Sequence, residues 1–405
     1  MNKKKITIGG WYNPSLDDET IKKIKDCGID CIFLEGDNIG NNCLDEVLID
    51  KNLELCDKYG LKAYVQKGND VDIKTAIVRD EKFSDHESFL GLLMYDEPPA
   101  ELFDSLHEEV KIYHEERIAS EPFINLLPSY ARSDRILGNY NVYINGFCNK
   151  FLNCNLNIKY LSFDFYPLIY GQDENPCLAD RWLNDVYIVA QNAKKHGAAA
   201  NAFIQAMPFS KNGKKYGSRD RIPTYEDLSL QFYIYLAFGY TSLTYFCLGT
   251  PSENAEFSSA DYALLGKNNE ETPTYFHAKR IDEEVKKLSE ILADYQWEDV
   301  KRLGQDELFD FAKDIKEFFD TEELKIKTNG KLVIGEFIKN EQEKAIMLVN
   351  FGETTETFIT EQTLTFGKET SVSVYRGGEK KSVRTDTLSL LLHAGEGIFI
   401  TYEVL

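Results

Sequence analysis

Short apolar runs recur along the first part of the chain, and each is followed by a stretch whose apolar residues return every three or four positions. The runs are ITIGGWY, CIFLEGD, LKAYVQKG, LGLLMYDEP, PFINLLP, YLSFDFYPL, AAANAFIQAMP and TSLTYFCLGTP. Helical periodicity follows them over residues 17–28, 44–60, 71–81, 100–117, 130–152, 180–196, 225–238 and 273–292. Eight alternations of strand and helix predict an α/β fold, a (β/α)8 TIM barrel over residues 1–293 with its functional groups at the strand ends. Punctuation agrees with that register. Gly28, Gly60 and Gly197 fall just past helical patterns, where a left-handed C-cap is wanted. Asp17 and Asp18 can cap the first helix, and Thr224 with Asp227 forms a capping-box pattern.

Residues 294–324 are charged and dotted with aromatics, and read as a linker region. From Lys325 the period changes to strict alternation, as in KLVIGEFIKN, KAIMLVNFG and SVSVYRGG, with glycine turns between the runs. Residues 325–405 therefore predict a small antiparallel β-sandwich, packed on the barrel and supplying no catalytic group.

The run LGLLMYDEPP ends an apolar strand in two adjacent carboxylates, Asp96 and Glu97, followed by two prolines. Uncompensated carboxylates leaving water cost several kcal/mol each, so the pair is expected to face a cleft. Pro98 biases Glu97 toward extended dihedrals, which delivers the acid to the rim before the next helix. In YLSFDFYPL, alternation places Leu161, Phe163 and Phe165 toward the helices and Ser162, Asp164 and Tyr166 inward. The same rule groups Phe203 with Gln205 and Gly9 with Trp11, while Glu35 ends the second strand.

Glu97 and Asp164 are the favoured carboxylate pair, because glycosidic cleavage needs one protonated acid at the leaving oxygen and a second carboxylate as base or nucleophile. Asp96 is placed to orient Glu97 or to bind a hydroxyl. Bland alternatives stand beside these roles: Glu97 paired with a barrel arginine, and Asp96 capping the helix after Pro99. Trp11, Tyr166 and Tyr245 lie near strand ends, where rings stack on the flat CH faces of sugars or simply pack. Asn125 and Gln205 are amides that either donate to substrate hydroxyls or satisfy the backbone. One strand separates strands four and six, so their backbones lie roughly 10 Å apart. That spacing leans toward room for a water between the acids and so toward inversion. Arg219 and Arg221, in the loop SKNGKKYGSRDRIP, read as solvated, with a lid over the site as the alternative for that loop.

Composition narrows the partners. The chain is 43% hydrophobic and 13% aromatic, enough for a large core, and its formal net charge of −21 disfavours nucleic acid and anionic membranes. The start, MNKKKITIGGWYNP, lacks the apolar stretch of a signal peptide, and no run is long enough to span a bilayer, so a cytoplasmic location is expected. Eight cysteines without a CxxC pair and six histidines without HExxH predict reduced thiols, no metal and no cofactor.

Taken together, LGLLMYDEP, INLLPSY, YLSFDFYPL, AFIQAMP and the stretch from RIPTYEDL to FCLGTP resemble bacterial glycoside hydrolase-like barrel proteins related to clan A and the family 42 β-galactosidases. The likeness covers roughly the first 290 residues, and LLLHAGEGIFI is similar to the family's closing strands. It implies a glycosidase acting on small oligosaccharides or glycosides, with Glu97 as acid/base. The match departs at strand seven, where clan A presents a glutamate nucleophile and this chain has Gln205; an amide cannot serve so. Asp164 is then the first substitute and Glu35 the second. Two further readings remain: a non-catalytic carbohydrate-binding protein on a decayed barrel, and a route similar to substrate-assisted hexosaminidases in which Asp96 steadies an acetamido group.

Overall fold

The computed structural model describes residues 5–34, 45–68, 71–209, 221–253, 257–258, 261–355 and 358–404. Eight parallel strands close into a barrel: β1 (Thr7–Trp11), β2 (Cys31–Leu34), β3 (Lys62–Gln66), β4 (Phe89–Asp96), β5 (Phe123–Leu126), β6 (Tyr160–Phe163), β9 (Ala199–Gln205) and β10 (Ser242–Phe246). The hairpin β7 (Leu168–Tyr170) and β8 (Pro176–Leu178) is an excursion from the loop after β6. The helices between and after the barrel strands are α1 (Asp18–Cys27), α2 (Glu46–Tyr59), α3 (Ile73–Phe83), α4 (Phe103–Glu116), α5 (Tyr140–Phe147), α6 (Trp182–His196), α7 (Tyr225–Ala237) and α8 (Pro273–Leu292).

Caps fall where the sequence puts them. Asp17 accepts from Thr20 N at 2.8 Å, Gly28 closes α1 at φ 117°, and Thr224 and Asp227 form the reciprocal capping box of α7. One helix starts later than its periodicity suggests. Leu137 and Gly138 both have positive φ, which breaks the helix expected over 130–152, and α5 begins only after the Asn139 cap. The irregular residues before it carry Arg135, which reaches the site described below.

The barrel interior is filled by side chains rather than open, as its small radius demands. Trp11, Phe33, Tyr64, Phe123 and Phe203 form an aromatic plug, with Trp11 to Phe33 at 4.6 Å and Phe33 to Phe123 at 4.8 Å between ring centroids.

The stretch expected as a linker contributes β11 (Gln296–Leu303), α9 (Glu307–Phe311) and the two-residue β12 (Lys316–Glu317). A register shift between Trp297 and Asp299 interrupts the alternation of β11, which is why the strand is hard to see in sequence. It joins β13 (Leu324–Thr328), β14 (Leu332–Asn340), β15 (Glu343–Asn350), β16 (Ile359–Arg376), β17 (Glu379–His393) and β18 (Gly397–Glu403) in one sheet, ordered β12-β11-β14-β15-β18-β16-β13, with β17 paired to β16. Hydrogen bonding is thus continuous through what alternation suggested were two layers. The long β16, irregular between Thr365 and Thr370, pairs with β13 by its first half and β18 by its second, and so carries the sheet around its own apolar core.

Helix α7 is buried on every side from Asp227 to Ala237, because it lies between barrel and sheet. Its approach to the sheet is close: a Cβ at Gly335 would stand 2.3 Å from Ala237 O, and Trp297 Nε1 donates to the same oxygen at 2.9 Å. No described helix is long and apolar enough to cross a membrane.

Candidate active site

The wall of the barrel at β4, β5 and β6 brings its polar strand ends to one level. Asp96 is in register with Asn125, and Asn125 with Ser162, which places Asp164 just beyond the end of β6. Asn125 Nδ2 donates to Asp96 Oδ1 and to Asp164 Oδ1, each at 3.1 Å. Both bonds leave one nitrogen, so the two carboxylate oxygens are no farther apart than twice 3.1 Å.

Glu97 follows in the left-handed region, at φ 55°, rather than with the extended dihedrals expected before Pro98, a conformation that costs a non-glycine residue about 1–3 kcal/mol. Its surroundings fix it there. Glu97 N donates to Asn125 O at 2.8 Å, Arg135 Nη2 donates to Glu97 O at 2.6 Å, and Tyr143 Oη donates to Pro98 O at 2.7 Å. Arg135 Nη1 also stands 3.7 Å from Glu97 Oε2, with both side chains about one-third exposed.

Electrostatics separates the acids from ordinary carboxylates. Asp164 is buried, and desolvation, then the charge of Glu97, then that of Asp96, push its pKa well above the usual range; the Asn125 amide opposes them. Asp96 is exposed at the end of β4, with protein packed closely around its carboxyl. Loss of water there and the adjacent Glu97 push it up to about 7, against Asn125 and Arg135. Such a cluster favours the protonated forms of the two aspartates, with Arg135 beside Glu97.

Tyr166 joins this region, half-buried, with its ring 4.8 Å from Phe209 and 5.2 Å from Phe246. Ser162 and Asp164 are inward as alternation requires, and Leu161, Phe163 and Phe165 pack under the helices. Other expected contacts are corrected by the packing. Asn125 is 2% exposed, and its amide is committed to the two aspartates and to Ser162 Oγ, so it positions acids rather than greeting substrate. Gln205 is wholly buried: its Oε1 accepts from Leu168 N at 2.8 Å and its Nε2 donates to Leu168 O at 3.2 Å, because the backbone entering β7 needs partners there. Trp11 belongs to the aromatic plug and is 6% exposed. Tyr245 points outward, between the inward Thr244 and Phe246, and donates to Asp282 Oδ1 of α8 at 2.7 Å.

Arg221, expected in solvent, is buried against Asp227, Glu353 at 2.8 Å and Thr354, tying the start of α7 to the turn after β15. Glu35 and Arg219 lie outside the described residues. Among the described residues no group of three or more His, Cys, Asp or Glu side chains is arranged to hold a metal ion.

Sequence reasoning missed Arg135, hidden in a segment of helical period, and the buried Asn201 and Thr244, which continue the polar line from Ser162. The signal for these two was available: ANAFI and SLTYF each set one polar residue inward in an apolar strand.

Fold and site together define a (β/α)8 barrel with an acid cluster at the mouth and a β-sheet domain on one side. No protein-family profile matches the chain, and no curated protein sequence does. Among solved structures it is similar to a putative α-galactosidase/melibiase from Bacteroides fragilis (TM-score 0.52, 12% identity, 98% of this chain and 79% of that one). It is also similar to a β-galactosidase from the psychrophilic Marinomonas ef1 (TM-score 0.51, 11% identity, 71% of this chain), of whose length it spans 61%. At such identities the likeness is one of fold.

Proposed function

We propose that the protein is a glycoside hydrolase acting on small oligosaccharides or glycosides, with Asp164, Asp96 and Glu97 as its acid and base groups. The observation that carries this reading is the pair Asp96 and Asp164 on one Asn125 nitrogen, with Glu97 next in the chain beside Arg135. Departure of an alkoxide from a sugar needs a proton at the glycosidic oxygen, and a raised carboxylic acid holds one at neutral pH. Asp164 fits that role, and Asp96 shares it through the common donor. Glu97, with a guanidinium alongside, fits the base that activates water or the nucleophile that meets the anomeric carbon.

The buried Gln205 favours a second reading, a carbohydrate-binding protein that has lost hydrolysis, since the seventh barrel strand offers no carboxylate. Hydrolysis of a panel of α- and β-nitrophenyl glycosides, acetamido sugars included, decides between them. Turnover that vanishes in Glu97→Gln supports the enzyme. Sugar binding by calorimetry without turnover on any member supports the binding protein, and dependence on the acetamido group assigns Asp96 the steadying role.

A further inference from the structure

Asn125 is the last link of a longer line. Thr244 Oγ1 of β10 donates to Asn201 Oδ1 of β9 at 3.1 Å, and Asn201 Nδ2 donates to Ser162 Oγ of β6 at 2.9 Å. Ser162 Oγ donates to Asn125 Oδ1 at 2.9 Å, and Asn125 Nδ2 reaches both aspartates. All four side chains are at most 2% exposed, so water does not compete for them. Each group has one sense available once its neighbour is fixed. The Asn125 NH2 faces both aspartates, which turns its oxygen to Ser162. Ser162 then spends its proton on Asn125 and must accept from Asn201 Nδ2, and the remaining Asn201 oxygen needs the Thr244 hydroxyl. The barrel is shaped for that hydroxyl: a Cβ at Gly9 would stand 2.8 Å from Thr244 Oγ1.

We propose that Thr244, Asn201 and Ser162 are positioning residues whose one-way chain of hydrogen bonds holds the Asn125 amide with its NH2 toward Asp96 and Asp164, making the two carboxyls a single proton-holding pair. Thr244 on β10 lies three strands from Asn125 on β5, on the order of 14 Å along the barrel wall. The chain is independent of the reaction the site performs. Without it, Asn125 is free to turn its oxygen to the acids, a state that favours their protonated forms. Other charges facing the pair are those of Glu97 and Arg135, and the phenols of Tyr140, Tyr143, Tyr166 and Tyr235 lie within the field of Asp164. None of these touches Thr244 or Asn201 through a described hydrogen bond, so a substitution at either end of the chain leaves them in place.

The test is a 13C-carboxyl NMR titration of aspartate-labelled full-length protein, with Asp96→Asn and Asp164→Asn assigning the signals. Ser162→Ala and the near-isosteric Thr244→Val are each expected to move the apparent pKa values of the pair upward by about one unit. Thr244→Ser keeps the hydroxyl and is expected to leave them unchanged. Circular dichroism confirms that each variant is folded, and if Ser162→Ala is not, Thr244→Val carries the test alone. Unchanged pKa values in a folded Thr244→Val protein, or an equal shift in Thr244→Ser, overturn the proposal. Because the readout is proton binding, it stands or falls separately from glycoside turnover.

Discussion

Two halves of the barrel mouth share a backbone plan and differ in chemistry. Along β4, β5 and β6 the strand ends carry Asp96, Glu97, Asn125 and Asp164, bunched so tightly that the charge of Glu97 raises the pKa values of both aspartates. Along β9, β10 and β1 the corresponding positions carry Gln205, Phe246 and Trp11, which are tied to backbone or stacked on other rings. Polar residues on the second side serve structure, whereas the first side buries Asp164 beside the charges of Asp96 and Glu97 and holds Glu97 at positive φ. Gathering three carboxylates around one buried amide costs stability, and such costs concentrate at functional sites.

Substitutions on the two sides should part accordingly. The largest effect is expected from Glu97→Gln, which keeps the shape and removes the charge: turnover of whichever glycoside the panel identifies should fall by at least about 1,000-fold, with little change in melting temperature. A stable variant that retains turnover would end the assignment of Glu97. On the opposite side, Gln205→Ala should act on the fold, costing about 2–3 kcal/mol in urea unfolding because Leu168 N and O lose their partners inside the protein. A pure loss of turnover without destabilisation would place Gln205 in the chemistry after all.

Asp164→Asn sharpens the contrast through pH. The native state keeps protons on Asp164 and Asp96 that the unfolded chain releases near pH 4, so folding takes up protons between that pH and about 7, where Asp96 titrates. Stability contributed by these groups is therefore greatest in acid and is lost as pH rises. Asparagine has no proton to keep, so Asp164→Asn should match the parent at pH 4 and exceed it in stability at pH 8, while turnover is abolished. Equal unfolding free energies at both pH values would show that Asp164 is an ordinary carboxylate. The smallest effect is expected from Tyr245→Phe, about 1 kcal/mol from the lost bond to Asp282 and no change in kcat/KM.

The legibility of the molecule from its sequence follows the same division. Alternation in YLSFDFYPL placed Ser162, Asp164 and Tyr166 inward because a strand's period of two is local and survives any packing. The same rule sends Tyr245 outward, which a reading by nearness to the strand end overlooked. Arg135 was hidden because positive φ at Leu137 and Gly138, set by the surrounding chain, overrode helical period. β11 was hidden by a bulge.

What the sequence by itself determined is the eightfold strand and helix order, the helix caps, the alternating tail and the delivery of Asp96, Glu97 and Asp164 to strand ends, since each depends on neighbours a few residues away. Only the tertiary structure decided which strand-end groups remain available for chemistry. That choice depends on what arrives from elsewhere in the chain: Leu168 claims Gln205, Asp282 claims Tyr245, and Asn125, bonded to Ser162 of the next strand, claims both aspartates at once. A polar side chain near a buried wall takes the partner that spares it desolvation, and that partner is set by the closed barrel rather than by local spacing.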